Sequence, residues 1–349
     1  MSLSAPLLRA GLACALVLVA SCRIETAAPS EAPVSAAHEG EPSGEVWVYT
    51  SMYRHVIDAF EPLLKEKLPR VQVHWYQAGS EKVASRLEAE RAAGAVRADV
   101  LATSDPFFYE RLAREGAFAR YASPNVLRVP RSLVEPDARY ASARLATMVL
   151  VHRKGAESPP ASFADLASEK WKGHAALGDP LTSGTAFTWA VFMQAKYGEG
   201  FFQKLRDRGA VVAGGNAAVL QKVESGEADA GVLLLENALA AKARGSPIEF
   251  VWPEDGAVLI PGPVAIFQTT RNPVAAKALV DVLMSPEGQR IIVEKGDMHA
   301  VDPRLPGPRG EPGLEPLMSR AQPWSPELVE RGLTRGGDIK ELFSRAFSK

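Results

Sequence analysis

From residue 172 to residue 185 the chain reads Lys172-Gly173-His174-Ala175-Ala176-Leu177-Gly178-Asp179-Pro180-Leu181-Thr182-Ser183-Gly184-Thr185. The pattern predicts a short buried strand at 175–177, a turn at 178–180 and a helix over about 185–197. Because a helix start carries unpaired N–H groups and a partial positive charge, residues 182–185 form a candidate cradle for an anion. Gly184 would let a ligand approach the backbone closely. The alternative is that Thr182 or Ser183 serves only as the N-cap of this helix.

Similar junctions of strand, small polar residues and helix recur near the start of the folded chain. Strands are predicted at 46–49, 71–76 and 99–102, and each is followed by an apolar-faced helix. Three such units in succession indicate a mainly parallel sheet with right-handed crossovers. Ligands bind beyond the carboxyl ends of the strands in such sheets. The junction residues at that edge are Ser51, Met52, Tyr53, Gly79, Ser80, Ser104 and Asp105.

The second half of the chain repeats this arrangement. A strand at 144–152 is expected to cross into a second lobe, and strands at 258–260 and 264–267 to return from it. Asn216 is a candidate N-cap, and Glu236 and Asn237 follow a buried strand at 230–234. The predicted fold class is α/β, with two lobes joined by hinge-crossing strands and a ligand in the cleft between them.

The same pattern predicts where the domains begin and end. Lobe 1 would comprise residues 45–146 and about 259–303, and lobe 2 residues 147–258. Within lobe 2 a short helix is expected at 163–168. Residues 304–349 would form a C-terminal extension that is rich in Pro and Gly to about 326 and ends in two short helices, 326–333 and 339–347.

The N-terminus predicts export. An apolar run at 10–20 follows Arg9 and is too short for a permanent membrane span. It ends in Val19-Ala20-Ser21-Cys22, which resembles a bacterial lipobox, so residues 1–21 would be a signal peptide and Cys22 would be acylated. The alternative is an ordinary signal peptide with an incidental Cys22. Residues 22–44 lack an apolar period and are expected to be a disordered tether between a membrane and the folded protein.

Length and composition narrow the function. A chain of 349 residues exceeds one ordinary core and predicts two domains. A formal net charge of −1 gives no reason to expect nucleic acid as a partner. The Ser-hydrolase elbow, the His-Glu-x-x-His motif and the phosphate loop are absent from the sequence, so neither an enzyme nor a bound cofactor is expected.

Several short motifs together resemble one family of proteins. In their order and spacing they are similar to the substrate-binding component of bacterial ABC importers, in the branch of ferric-iron, thiamine, phosphonate and phosphosugar binding proteins. The resemblance implies two α/β lobes that close on a ligand like a hinge, a permease partner, a monomeric state and a periplasmic or cell-envelope location. The motifs are residues 48–51, 79–80, 97–100, 163–166, 171–173, 178–180, 183–185, 223–231 and 285–289.

The resemblance leaves two ligand classes open. Ferric members of the family hold the metal with two adjacent tyrosines after the strand that corresponds to 231–234, whereas this chain has Leu235-Glu236-Asn237 there. Tyr53 and His55 alone do not complete an iron site. The sequence instead favours a small phosphonate, phosphate ester or carboxylate, with or without an amine. The predicted ligand-binding residues are Ser51, Met52, Tyr53, Gly79, Ser80, Ser104, Asp105, Thr182, Ser183, Gly184, Thr185, Glu236 and Asn237.

Two carboxyl groups in this set have competing interpretations. Glu236 would suit an ammonium group or a hydroxyl of the ligand, or it is a first-turn acid favoured by the helix dipole. Asp105 precedes Pro106 and is either a ligand group or an N-cap.

Two other functions remain open from the sequence. A lipid-anchored hydrolase that used Ser183 would need a histidine within hydrogen-bond reach. A periplasmic sensor component would need a separate signalling partner.

Overall fold

The computed structural model describes residues 40–169, 171 and 173–348. The predicted signal peptide (1–21), the acylated Cys22 and most of the predicted tether lie outside the described residues. No helix in the described part of the chain is both long and apolar enough to cross a membrane.

The first half of the fold is built on three parallel strands. Their order in the sheet is β2-β1-β3, as the succession of strand and helix units predicts. Each strand is followed by a helix, so the three helix starts gather at the carboxyl edge of the sheet. The elements are β1 (Gly44–Thr50), α1 (Arg54–Lys67), β2 (Val71–Gln77), α2 (Ser80–Ala92), β3 (Val100–Ala102) and α3 (Pro106–Arg114).

Two long antiparallel strands cross between the halves. They are β4 (Ala141–Arg153) and β9 (Val258–Ile266), paired from Ala141 opposite Val264 to Met148 opposite Val258. The far end of β9 also pairs with β3, which joins the two parts of the sheet. The expectation of separate strands at 258–260 and 264–267 was wrong. The chain stays extended through 261–263 because β4 pairs along this whole segment.

The second half repeats the parallel arrangement. The sheet order continues β4-β7-β5-β6, and β8 pairs with β4. The elements are β5 (Ala175–Gly178), α4 (Gly184–Tyr197), α5 (Phe201–Asp207), β6 (Val211–Gly214), α6 (Asn216–Ser225), β7 (Ala230–Leu234), α7 (Leu235–Ala243) and β8 (Ile248–Val251). The helix expected at 163–168 is a 3-10 turn, Asp165–Ala167, since Asp165 accepts the amides of residues 161 and 162 and closes a short turn.

In the described residues, four α-helices follow the returning strand β9. They are α8 (Pro273–Met284), α9 (Pro286–Glu294), α10 (Leu314–Arg320) and α11 (Pro326–Phe347). Helices α8 and α9 pack on the first half, where Leu279 and Ile292 join the core of Val48 and Phe60.

The prediction of two short terminal helices was wrong, because α11 is one helix of 22 residues. Gly332 and Gly336 weaken its local helix propensity. They lie where the rings of Phe107 and Phe187 press against the helix, so tertiary packing maintains it. The predicted lobe boundaries at 146/147 and 258/259 fall on the crossing strands β4 and β9, and the division there stays a prediction.

Candidate functional site

A cavity of about 260 Å³ lies between the two halves. The N-cap residues of five described helices, α1, α2, α4, α6 and α7, line it. Each helix start presents unpaired N–H groups and a partial positive charge, so together they favour an anion. The lining residues are Ser51, Met52, Tyr53, Gln77, Ala78, Gly79, Ser80, Ser104, Arg144, Thr182, Ser183, Gly184, Thr185, Gly215, Asn216, Ala217, Leu234, Glu236 and Met298.

Three serines form the wall that the first half contributes. The amide of Ser104 donates to the hydroxyl oxygens of Ser51 at 3.2 Å and Ser80 at 3.3 Å. They come together because β1 and β3 are adjacent parallel strands and α2 starts at the same edge of the sheet. Thr50, behind them, accepts the amide of Met52 and donates to the carbonyl of Ala102, which fixes the turn after β1.

Arg144 supplies the positive charge of the cavity. Its Nη2 donates to the hydroxyl of Ser104 at 3.0 Å and, more weakly, to that of Ser51 at 3.5 Å. The side chain is only 3% exposed, and burial lowers the pKa of its guanidinium. It lies over Gly262 of the neighbouring strand, where an added Cβ would come within 2.7 Å of Arg144 Cγ. Arg144 is not among the ligand-binding residues predicted from the sequence, where its one local signal is a charge at the start of an apolar strand.

The loop before α4 forms the wall that the second half contributes. Ser183 is the N-cap, and its Oγ accepts the amide of Ala186 at 3.3 Å and contacts the hydroxyl of Thr185 at 3.1 Å. Asp179 closes the preceding turn by accepting the amide of Leu181 at 2.8 Å. The capping interpretation of Ser183 is therefore confirmed, and the same residue lines the cavity.

Asn216 does not cap its helix as predicted. Gly215 occupies the N-cap position of α6, and Asn216 is the first helical residue. The reason is a competing partner, since Asn216 Nδ2 donates to the hydroxyl of Thr185 at 3.2 Å. Asn216 thereby links two helix starts inside the cavity.

The two halves contact one another beside the cavity. A Cβ placed on Gly184 would lie 2.9 Å from the Cβ of Ser80 and 3.2 Å from the carbonyl oxygen of Ser104. Tyr53 donates its hydroxyl hydrogen to Oδ1 of Asn237 at 2.9 Å, from the start of α1 to the start of α7. We call this arrangement of the halves the closed arrangement.

Among the described residues that line the cavity, Glu236 is the one with a carboxyl group. Its side chain is buried, and burial raises its pKa to about 8 even though Arg144 and its own amide oppose that shift. Asp297 adds to the rise. At neutral pH the carboxyl is therefore mainly protonated, and it can donate as well as accept a hydrogen bond.

Most of the predicted site residues come together, and two do not line the cavity. Asp105 caps α3 by accepting the amide of Phe108 at 3.1 Å, and burial together with Glu81 raises its pKa to about 6. Asn237 reaches the cavity only through Tyr53. Eight residues line it without having been predicted as ligand-binding residues: Gln77, Ala78, Arg144, Gly215, Asn216, Ala217, Leu234 and Met298. That the lining residues bind a ligand stays a prediction.

The described residues of the cavity lack two arrangements of side chains that other functions would need. The described residues contain no group of three His, Cys, Asp or Glu side chains placed to hold a metal ion. The one tyrosine of the lining already donates to Asn237, and no histidine lines this cavity beside Ser183 in the described part of the chain.

A second, larger groove of about 1230 Å³ lies elsewhere on the described surface. It runs between α3, the crossing strand β9 and the start of α11, with Phe107, Pro263 and Trp324 in its walls. None of the predicted site residues lines it.

Sequence comparisons identify related proteins. A family model described as bacterial extracellular solute-binding protein matches residues 45–296. An uncharacterized protein of Haemophilus influenzae is 32% identical over 148 residues, which are 41% of this chain and 42% of that protein. The chain therefore aligns with less than half the length of this relative.

Three solved structures share the fold. The substrate-binding protein of an ABC transporter from Agrobacterium tumefaciens has a TM-score of 0.77 at 21% identity, over 88% of this chain and 95% of that one. Iron-bound HitA from Pseudomonas aeruginosa has a TM-score of 0.75 at 19% identity, over 87% and 99%. AfuA from Actinobacillus pleuropneumoniae, a periplasmic binding protein with fructose-6-phosphate bound, has a TM-score of 0.74 at 21% identity, over 86% and 97%. The predicted two-lobed α/β fold with crossing strands is confirmed by these likenesses.

Proposed function

We propose that the chain, which belongs to the family of bacterial extracellular solute-binding proteins, captures a small anion in the cavity between its two halves. It then delivers the anion to the permease of an ABC importer. The ligand is a phosphonate, a phosphate ester or a carboxylate, with or without an amine.

The observation that carries the proposal is the environment of Arg144. A buried guanidinium without a carboxylate within ion-pair distance is costly unless a negative group joins it. Among the described residues, Glu236 is the carboxyl group that acts on the charge of Arg144, and burial raises the pKa of that group to about 8. The side-chain hydrogen bonds of Arg144 go to the hydroxyls of Ser51 and Ser104. An anion placed between these hydroxyls and the starts of α2 and α4 would complete the pair.

The volume of the cavity and the carboxyl group of Glu236 further restrict which ligands can bind. A volume of about 260 Å³ suits a compact molecule, because pockets for drug-sized ligands begin at about 300 Å³. Glu236 lies in the same cavity and suits a hydroxyl while protonated, or an ammonium group if the ligand ionises it. A phosphate or phosphonate head group on a short polar body satisfies both requirements.

Capture follows from the contacts between the halves. A ligand that touches both the serine wall of the first half and the loop before α4 favours the closed arrangement over an open one. The permease would recognise the closed form, and the protein would act as a monomer. Release requires that the contacts between the halves remain weak enough to break.

We also propose that the protein is exported and held to a membrane by lipid on Cys22. The apolar run at 10–20 and the residues before Cys22 support this assignment. Replacement of Cys22 by Ser should abolish incorporation of labelled palmitate. Label that persists in the Cys22→Ser variant would contradict the assignment.

Ferric iron is the alternative ligand, as in the HitA structure. A tyrosine is the residue in this cavity best suited to Fe³⁺, and Tyr53 is the one the lining offers. The positive charge of Arg144 beside the serines disfavours a bare cation and favours an anion there.

Calorimetric titration of the purified protein separates the two candidates. The test compounds are inorganic phosphate, fructose 6-phosphate, 2-aminoethylphosphonate, citrate and ferric nitrilotriacetate, and mass spectrometry under native conditions would identify any co-purified ligand. We expect saturable heat with at least one phosphorus-containing or carboxylate anion. Tight binding of iron with no heat from any anion would overturn the proposal.

A further inference from the structure

The C-terminal helix α11 contacts both halves of the fold. On the second half, its Gly336 lies against the ring of Phe187. The ring centre of Phe343 lies 5.2 Å from that of Phe202. On the first half, Glu330 pairs with Arg114 of α3 at 3.0 Å. One rigid helix therefore spans the two bodies that must separate if the cavity is to open.

An apolar contact holds the helix near the crossing strands. Phe107, at the start of α3, is only 4% exposed. Its ring centre lies 5.5 Å from the ring centres of both Phe187 and Trp324. The ring also lies against Gly332, where a Cβ would come within 2.2 Å of it. Trp324 donates to the carbonyl of Leu259 on β9 at 2.9 Å, so this contact lies beside a crossing strand.

A polar contact joins the halves farther along the same helix. Lys340 Nζ lies 2.8 Å from a carboxylate oxygen of Glu81, with both side chains less than 25% exposed. The ammonium also lies 4.5 Å from the ring centre of Phe187, which fixes it to the second half. Glu81 directly follows Ser80, whose hydroxyl belongs to the serine wall of the cavity.

The positions of these contacts along α11 determine which of them would separate first if the two halves rotate. Lys340 is eight residues beyond Gly332, which is about 12 Å along a helix. Rotation about the crossing strands displaces atoms in proportion to their distance from the axis. If the halves rotate about the crossing strands, the Phe107 contact would persist through small rotations, whereas the contact between Lys340 and Glu81 would separate first.

We propose that Lys340 is a positioning residue and that its ion pair with Glu81 is a latch that holds the closed arrangement beside the anion cavity. The inference rests on the hinge motion of the proposed function. It adds that the C-terminal extension, in addition to the ligand, sets the balance between open and closed forms. The latch is worth more than a fully exposed ion pair because both partners are largely shielded from water.

Distances between spin labels on the two halves test the latch without any ligand. Labels are placed at Lys65→Cys in α1 and Gln221→Cys in α6, two exposed positions, in a chain that also carries Cys14→Ser and Cys22→Ser. Lys340→Met and Glu81→Gln should each raise the ratio of long to short distances on the order of threefold to fivefold. The double variant should shift the ratio no further, because both changes remove the same contact.

Matched variants separate the latch from a general loosening of α11. Arg335 also lies on α11, but it pairs at 3.0 Å with Glu199, which follows α4 in the second half. Arg335→Met should therefore leave the distances between the spin labels unchanged. Lys340→Arg should retain the wild-type distances. The inference is overturned if Lys340→Met matches the wild type or if Arg335→Met shifts the distances equally. Because no ligand is used, failure here is distinct from failure of the anion titration.

Discussion

Arg144 Nη2 donates a hydrogen bond of 3.0 Å to the hydroxyl of Ser104, which ties a crossing strand to the end of β3. No described residue accepts from the Nε or Nη1 of Arg144. These donors remain for a ligand, and the serine contact keeps the planar guanidinium in one orientation. A preoriented guanidinium binds a phosphate or carboxylate through paired charge-assisted hydrogen bonds.

Replacement of Arg144 by Met should weaken anion binding about tenfold to hundredfold, since a charge-assisted hydrogen bond contributes about 1.5–3 kcal/mol. Arg144→Lys should recover part of the affinity, because the charge returns without the planar fork. Calorimetry with the anion that binds the wild type most tightly measures both effects. Arg153→Met, at the exposed far end of the same strand, is the matched control and should bind normally. Equal affinity of Arg144→Met and the wild type would remove the basis of the anion proposal.

Gly262 should be needed for the same reason as Arg144. A Cβ on Gly262 would lie 2.7 Å from Cγ of Arg144 and 3.0 Å from its Cζ and Nε, so this side chain must shift, which would disturb its contact with Ser104. We expect Gly262→Ala to lower anion affinity about fivefold or more. The free energy of unfolding, measured by thermal denaturation, should fall by about 1–3 kcal/mol at most. Gly313→Ala is the control, because its nearest neighbour is a backbone oxygen at 3.7 Å. An affinity of Gly262→Ala equal to that of the control would show that the position of Arg144 is not critical.

The junctions that form most of the cavity were predictable because they depend on local chemistry. Small polar residues between an apolar strand and an amphipathic helix mark the carboxyl edge of a parallel sheet, and Ser51, Ser80 and Ser183 all follow that rule. Ser183 also combines capping with a place in the cavity, which the capping signal alone does not exclude.

Arg144 and α11 were not predictable because tertiary contacts determine them. Arg144 reaches the cavity through its pairing opposite Gly262 and a register shift just before it in β4, neither of which leaves a local pattern. Helix α11 continues through glycines that lower its intrinsic propensity because two aromatic rings pack on them. The sequence therefore predicts where helices and strands begin more reliably than it predicts contacts between residues that are far apart in the chain.

Gly184 should be required for the closed arrangement. A methyl group there would lie 2.9 Å from the Cβ of Ser80, so Gly184→Ala should hold the halves apart and weaken ligand binding about tenfold. Stability should change little, because the halves can relax by opening. Calorimetry and the spin-label distances described above measure the two effects. Gly200→Ala, in the same half but outside the cavity lining, is the control, since a Cβ there would have no neighbour within 4 Å. Normal affinity in Gly184→Ala would show that closure does not need this contact.

Glu236 should make the stability of the protein depend on pH. Its pKa rises from an ordinary 4.5 in the unfolded chain to about 8 in the fold. The folded state therefore binds the proton more tightly, and this contribution to stability is lost as the pH rises from about 4.5 to about 8. Glu236→Gln should remove that loss. Urea unfolding at several pH values measures this effect. From acidic to alkaline pH, the free energy of unfolding of the variant should rise relative to that of the wild type by about 1 kcal/mol or more. A constant difference between the two proteins across this window would contradict the shifted pKa.

The same carboxyl group should control anion affinity. Between about pH 7.5 and 9.5 a phosphate ester is already fully ionised, so ionisation of Glu236 is the change that the ligand experiences. Arg144 and the ligand would then face a carboxylate, and affinity should fall by up to about tenfold per pH unit above the pKa of Glu236. Glu236→Gln should bind with little pH dependence over this range, and calorimetry of both proteins with one anion provides the comparison. A ligand with an amine should reverse the trend, because an ionised Glu236 would attract its ammonium group until that group loses its proton. Parallel pH profiles for the wild type and Glu236→Gln would show instead that Glu236 does not face the ligand.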